Sequence, residues 1–220
     1  MPGRLVELSF PLEDGMPTLP GVLPEARIAP LLDHEASRHR YEGKAEFFLG
    51  GVEMSTNAGT YVDTPFHRFR DGDDLAAVPV DRWAGLPGVV VEAGAEVGPV
   101  DVALGPDELR GRAVLLRTGW DERWPGDSYW EPDPFLSPGA IDALLAGPAA
   151  LVGVDFSNVD DTTDPTRPAH TRLLEAGVLI VERLTGLGQL PRQGFRFWAV
   201  PPRVVRGASF PVRAFAELEG

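Results

Sequence analysis

Residues 57–67 read Asn57-Ala58-Gly59-Thr60-Tyr61-Val62-Asp63-Thr64-Pro65-Phe66-His67. Polar and turn-forming residues crowd this run, and Gly59 and Pro65 punctuate it, so the backbone is expected to turn sharply and hold its side chains inward. Asp63 and His67 stand four apart, a spacing that shares one face on a helix. Pro65 between them points instead to a loop. An Asp–His pair by itself reads first as a structural hydrogen bond, so the run needs a second element before it implies chemistry.

That second element lies at Asp155–Glu182. Asp155 follows the apolar strand Ala150–Val154, and the polar stretch Asp160-Asp161-Thr162-Thr163-Asp164 comes next. Pro168-Ala169-His170 then opens a helix over Thr171–Ala176, with Gly177 as its stop. The strand Val178–Val181 follows, and Glu182 ends it. Strand ends and helix starts are where α/β folds place their sites. His34 and His39 sit in a polar stretch and read as solvated.

The flanking sequence reads as many short elements. Strands are expected at Arg4–Phe10, Ala26–Leu32, Ala45–Met54, Val89–Val91, Ala113–Arg117 and Phe195–Val200, with Val204–Pro211 leading into a last one. Asp33–Gly43 reads as an exposed loop or short helix, and Trp120–Phe135 as a loop. Helices are expected to open at Gly105–Leu109 and at Ser137, where Ser137 caps and Pro138 takes the first helical position. With no repeat and no linker, residues 1–220 read as one domain of mixed α/β class.

Composition narrows the function. The 220 residues carry 20 Lys+Arg against 33 Asp+Glu, a net charge of −13, with no basic stripe, which argues against nucleic acid as a partner. There is no cysteine, so any metal must be held by His, Asp, Glu or weaker oxygen donors. No apolar run is long enough to span a bilayer and the N-terminus lacks a signal-peptide core; a cytoplasmic location without membrane attachment is expected.

The run 57–67 resembles the signature of the cyclase family of metal-dependent hydrolases, which includes bacterial kynurenine formamidase and isatin hydrolase. That signature reads His-x-Gly-Thr-His-x-Asp-x-Pro-x-His, and Gly59, Thr60, Asp63, Pro65 and His67 match it. Pro11–Pro17 is similar to the family's N-terminal segment, Leu116–Trp120 to its central strand and loop, and Pro168–His170 and Val181-Glu182 to its later metal-binding elements, in the same order. The resemblance implies a swivelling β/β/α-type fold, a central mixed β-structure flanked by helices, in a homo-oligomer that is a dimer or tetramer.

It also implies roles. Asp63, His170 and Glu182 would hold one divalent metal, zinc or manganese, and His67 would serve as acid–base group. Asn57 and Tyr61 stand where the family has two further histidine ligands. Asn57 offers only a neutral carbonyl oxygen, and Tyr61 would have to lose a proton whose unperturbed pKa is about 10. The implied reaction is hydrolysis of a small amide or lactam, with Tyr61 as hydrogen-bond donor to the oxyanion. Phe66, Phe69, Trp83 and Trp120 are the candidate pocket aromatics. Two other readings stay open: a metal-free lyase, cyclase or isomerase using Tyr61 and His67, and a non-catalytic small-molecule binding protein.

Overall fold

A computed structural model describes residues 3–94, 96–130 and 132–219. Its centre is a run of four parallel strands: β5 (Leu86–Glu92), β7 (Ala113–Arg117), β9 (Leu151–Val154) and β10 (Leu179–Glu182). Parallel neighbours need crossovers, and helices supply them. These are α3 (Pro106–Leu109), α4 (Pro138–Ala146) and α5 (Pro168–Glu175). Antiparallel strands extend the sheet on both sides. Beyond β10 lie β4 (Tyr61–Asp63) and β12 (Ser209–Pro211); beyond β5 lie β11 (Phe195–Trp198), β13 (Phe215–Leu218) and β1 (Leu5–Glu7). The resulting order of this nine-stranded mixed sheet is β1-β13-β11-β5-β7-β9-β10-β4-β12.

The central strands are apolar at consecutive positions because both of their faces are covered. Val89, Val91, Val114, Leu116, Val152, Val154 and Ile180 point to one side. There they meet Leu109, Ile141, Leu144, Leu173 and Leu174 from the helices. The alternate residues Val90, Ala113, Leu115, Leu151, Leu179 and Val181 point to the other side, against Phe195, Phe197, Ala216, Val6 and Leu8. The helices therefore gather on one face, and the other is closed by the sheet's own antiparallel half. Gly88 lets that half approach, since a Cβ there would lie 1.9 Å from Cε2 of Phe195.

Two small ribbons complete the fold. One is antiparallel, β2 (Arg27–Leu32) with β3 (Leu49–Glu53), joined through α1 (His34–Arg40); the other is parallel, β6 (Gly98–Val100) with β8 (Pro134–Leu136). His34 and His39 lie exposed on α1. Most expected strands are present but shorter. The larger correction is at residues 55–69, expected to be irregular. The stretch contains strand β4 and then a helical turn, α2 (Pro65–Arg68). Pro65 takes the first helical position, where its missing N–H costs nothing, and so starts the turn that it was expected to prevent.

Candidate active site

The site forms where the carboxyl end of β10 meets β4, and strand register dictates its pairs. On β10, Glu182 lies opposite Tyr61 of β4, and Ile180 lies opposite Asp63. On the far side of β4, Ser209 of β12 lies opposite Asp63. Two of these cross-strand pairs become side-chain hydrogen bonds. The Tyr61 hydroxyl donates to Glu182 Oε2, and the Ser209 hydroxyl donates to Asp63 Oδ1. The Val159 N–H donates to the other Glu182 oxygen at 2.7 Å.

Pro65 then turns the chain so that His67 comes back over Asp63. Its Nδ1 lies 3.5 Å from Asp63 Oδ1 and 3.1 Å from the Ser209 hydroxyl. Its ring is partly open to solvent, 36% exposed, and tilts toward the His170 ring at 5.5 Å.

His170 sits in the first turn of α5 and is held by Asp160. The Asp160 carboxylate accepts from the Ala169 and His170 N–H groups at 2.6 and 3.2 Å, and from His170 Nδ1 at 2.6 Å. One acid thus satisfies two free donors of the helix start and fixes the ring tautomer. Nε2 of His170 is thereby turned to face Asp63 Oδ2 and Glu182 Oε1, each at 3.7 Å.

Burial and charge set the protonation of this cluster. Burial pushes the Tyr61 hydroxyl well above its ordinary range, and the neighbouring Glu182 charge pushes it further, so Tyr61 stays neutral and donates. That argues against Tyr61 as a general base in the metal-free site. Burial opposes charge on His170, but the hydrogen bond to Asp160 and the charges of Asp63 and Glu182 outweigh it and raise its pKa to about 10. Burial also opposes charge on Asp63, yet the two histidines and Ser209 outweigh it and hold the carboxyl below its ordinary value. Glu182 is raised, mainly by burial.

These residues fit a divalent cation. Asp63 Oδ2 is fully buried and accepts no hydrogen bond; the charge nearest it is His170 Nε2 at 3.7 Å, which pairs with it while the ring is protonated and leaves a gap for a metal ion once the ring gives up that proton. Donor atoms of Asp63, His67 and His170 lie within 4.8 Å of one another. The 3.7 Å separations about His170 Nε2 are close to the roughly 3.4 Å edge of a tetrahedral site with bonds near 2.1 Å. Two three-residue sets share Asp63 and His170: one adds Glu182, as the sequence suggested, and the other adds His67.

The cluster opens into a cavity of about 820 Å³ lined by Asn57, Tyr61, His67 and His170. The four aromatics expected there lie elsewhere. Trp83 and Trp120 are core residues, 2% and 0% exposed, packed beneath opposite faces of the sheet. Phe69 packs against the helical-side core, and Phe66 lies against Arg206. The aromatic wall of the cavity is Trp130 and Phe135 instead. Sequence reasoning also missed Asp160, Ser209 and Arg183. For Asp160 a signal existed, an acid preceding a helix start; Ser209 arrives by strand pairing alone, 146 positions along the chain from Asp63.

Comparison with known proteins agrees with this architecture. The Cyclase family matches residues 6–161, and the chain belongs to that family. A kynurenine formamidase from Salinibacter ruber is 33% identical over 181 residues, 80% of this chain and 82% of that protein. Among solved structures, isatin hydrolase A from Labrenzia aggregata, bound to benzyl benzoate, superposes with a TM-score of 0.82 at 23% identity, covering 99% and 94% of the two chains. A potential metal-dependent hydrolase with cyclase activity superposes with a TM-score of 0.76 at 20% identity, covering 99% and 98%.

Proposed function

We propose that this protein hydrolyses the carbon–nitrogen bond of a small amide or lactam, in the manner of an arylformamidase, with one divalent metal ion, zinc or manganese. The observation that carries the reading is the buried, unpartnered Asp63 Oδ2 beside His170 Nε2, at the base of a cavity large enough for a small aromatic substrate. The kinship with kynurenine formamidase supports the reaction class.

Asp63 and His170 would hold the ion, together with Glu182. Once bound, it supplies polarisation of a carbonyl oxygen and a water of lowered pKa. The rest falls to the protein. Asp160 holds His170 with Nε2 inward. Tyr61 and the Val159 N–H hold Glu182. His67 has Nδ1 turned to Ser209 and Asp63, which leaves Nε2 free to take a proton from water and deliver it to the leaving nitrogen. The Tyr61 hydroxyl is engaged by Glu182, so its part in this scheme is to orient that carboxylate rather than to steady an oxyanion.

We further infer a cytoplasmic enzyme of one domain that works as a dimer or tetramer. Pairing of β1 with β13 joins both ends of the chain in one sheet. No helix among the described residues is long and apolar enough to cross a membrane. The β2–β3 ribbon and the residues beside it leave Leu31, Phe47, Phe48, Leu49 and Val52 more than half exposed, an apolar face suited to a second copy. Metal analysis of untagged protein tests the central reading. We expect about one zinc or manganese ion per chain, lost in His170→Ala, and metal-dependent turnover of formamides or lactams. Protein that takes up no ion from excess zinc and manganese would refute it.

A further inference from the structure

Arg183 follows Glu182 directly and is only 4% exposed, yet it lines the cavity. Its guanidinium lies between the rings of Tyr61 and Trp130, 5.0 and 4.8 Å from their centroids. One terminal nitrogen, NH1, donates to the Asn57 carbonyl at 2.8 Å, and Nε is buried without any partner. Among the described residues no carboxylate pairs with it. A buried charge without a counter-charge is costly, and a cation held this way is a binding group awaiting an anion.

The surroundings repeat the pattern. Arg68 and Arg167 also line the cavity, and neither forms an ion pair with a described residue. The two acids of the cavity wall are engaged by neighbouring hydroxyls and N–H groups: Asp133 accepts from the N–H and hydroxyl of Ser157 in the loop after β9, and Asp161 from those of Thr163 in its own loop. Both Arg167 and Arg183 have left-handed backbones, at φ 50° and 61°. Such a conformation is costly for a long side chain, and Glu42 and Arg206, outside the cavity lining, share it.

We propose that Arg183 anchors a carboxylate of the substrate, with Arg68 and Arg167 adding positive potential at the rim. The substrate is thus an anionic amide, an aryl or acyl amide bearing a carboxylate. Guanidinium suits this task because its planar fork matches a carboxylate and stacks on aromatic faces. The substrate class rests on the hydrolase reading; the anion site does not.

Two measurements separate them. The first is hydrolysis of N-formylanthranilate against formanilide, a pair that differs by one carboxylate. The second is calorimetric binding of benzoate against benzamide. Wild-type protein should favour the carboxylate member of each pair by roughly 10- to 100-fold, the range of one buried charge-assisted contact. Arg183→Asn removes the cation and suits the left-handed backbone, and the preference should fall to near unity. Arg183→Lys keeps the charge without the fork and covers an Asn variant that fails to fold; it should lose several-fold in benzoate affinity. Equal binding of benzoate and benzamide by wild-type protein, or an unchanged preference in both variants, would overturn the anchor. If neither formamide is hydrolysed while benzoate binds through Arg183, the anchor stands and the hydrolase reading falls.

Discussion

Asp160→Asn replaces a carboxylate by its neutral isostere at the residue that orients His170. In the native structure one Asp160 oxygen accepts from the Ala169 N–H and the other from the His170 N–H and Nδ1. An amide cannot reproduce this. If its NH2 takes the first place, it meets the Ala169 N–H, donor against donor. If it takes the second, it meets the His170 N–H and obliges Nδ1 to accept, which moves the ring proton to Nε2, the atom that faces Asp63 and Glu182. The first orientation costs helix stability, about 1–3 kcal/mol for a buried donor left unsatisfied. The second costs metal affinity, about 10–100-fold for a lost outer partner of a ligating histidine. Zinc titration against a competing chelator at pH 7, with chemical unfolding of the metal-free protein alongside, reads both. Zinc affinity within twofold of wild type and an unchanged unfolding midpoint would refute the claim that Asp160 fixes the His170 tautomer.

His67→Ala should lower turnover by about 10²–10⁴-fold. Its folding midpoint should stay close to wild type, because the ring is partly exposed; steady-state kinetics and a thermal melt check the two halves. Because the folded pKa of His170 is raised to about 10 from 6.5, its stabilisation of the metal-free protein is complete below pH 6.5 and is lost as pH rises toward 10. A series of melts in chelator should show that decline, and metal uptake at pH 7 should release a proton. Tyr61→Phe strips Glu182 Oε2 of its buried donor and should destabilise the fold by about 1–3 kcal/mol, measured by urea unfolding. Gly88→Ala drives a methyl into the Phe195 ring and should cost at least about 1–3 kcal/mol, measured the same way.

The sequence carried the central strands well, because Val89-Val90-Val91 and Ala113–Leu116 are apolar at every position and only a strand covered on both faces asks for that. It carried β4 poorly. Tyr61-Val62-Asp63 is three residues long and embedded in turn formers, and only pairing with β10 on one side and β12 on the other makes it a strand. Pro65 misled for a related reason: a proline is a breaker inside a helix and a starter at its first position, and the difference depends on where the preceding strand ends. Position along the chain does not tell which aromatics face the pocket. The fold instead uses Trp83 and Trp120 to fill its two cores and brings Trp130 and Phe135 to the cavity.

The same register accounts for the coexistence of the signature's kept residues with its replaced ones. Positions 61 and 63 alternate with Val62, which is buried among the residues of the opposite core, so Tyr61 and Asp63 share one face of β4. A histidine replaced at position 61 therefore leaves its successor pointing at the same Glu182. Tyrosine meets that constraint as a neutral donor, and its hydroxyl satisfies a carboxylate oxygen that a cation would otherwise complete. Arg183, beside Glu182 in sequence and over the Tyr61 ring in space, then returns a positive charge to this side of the cavity. Asp63 Oδ2 is the oxygen left without a donor, and it lies on the His170 side. On the proposed reading the two sides divide the work: Asp63, His170 and Glu182 would form a cation-binding edge, and Asn57, Tyr61 and Arg183 an arginine edge. A substrate with both an amide carbonyl and a carboxylate is the kind of ligand that engages the two at once.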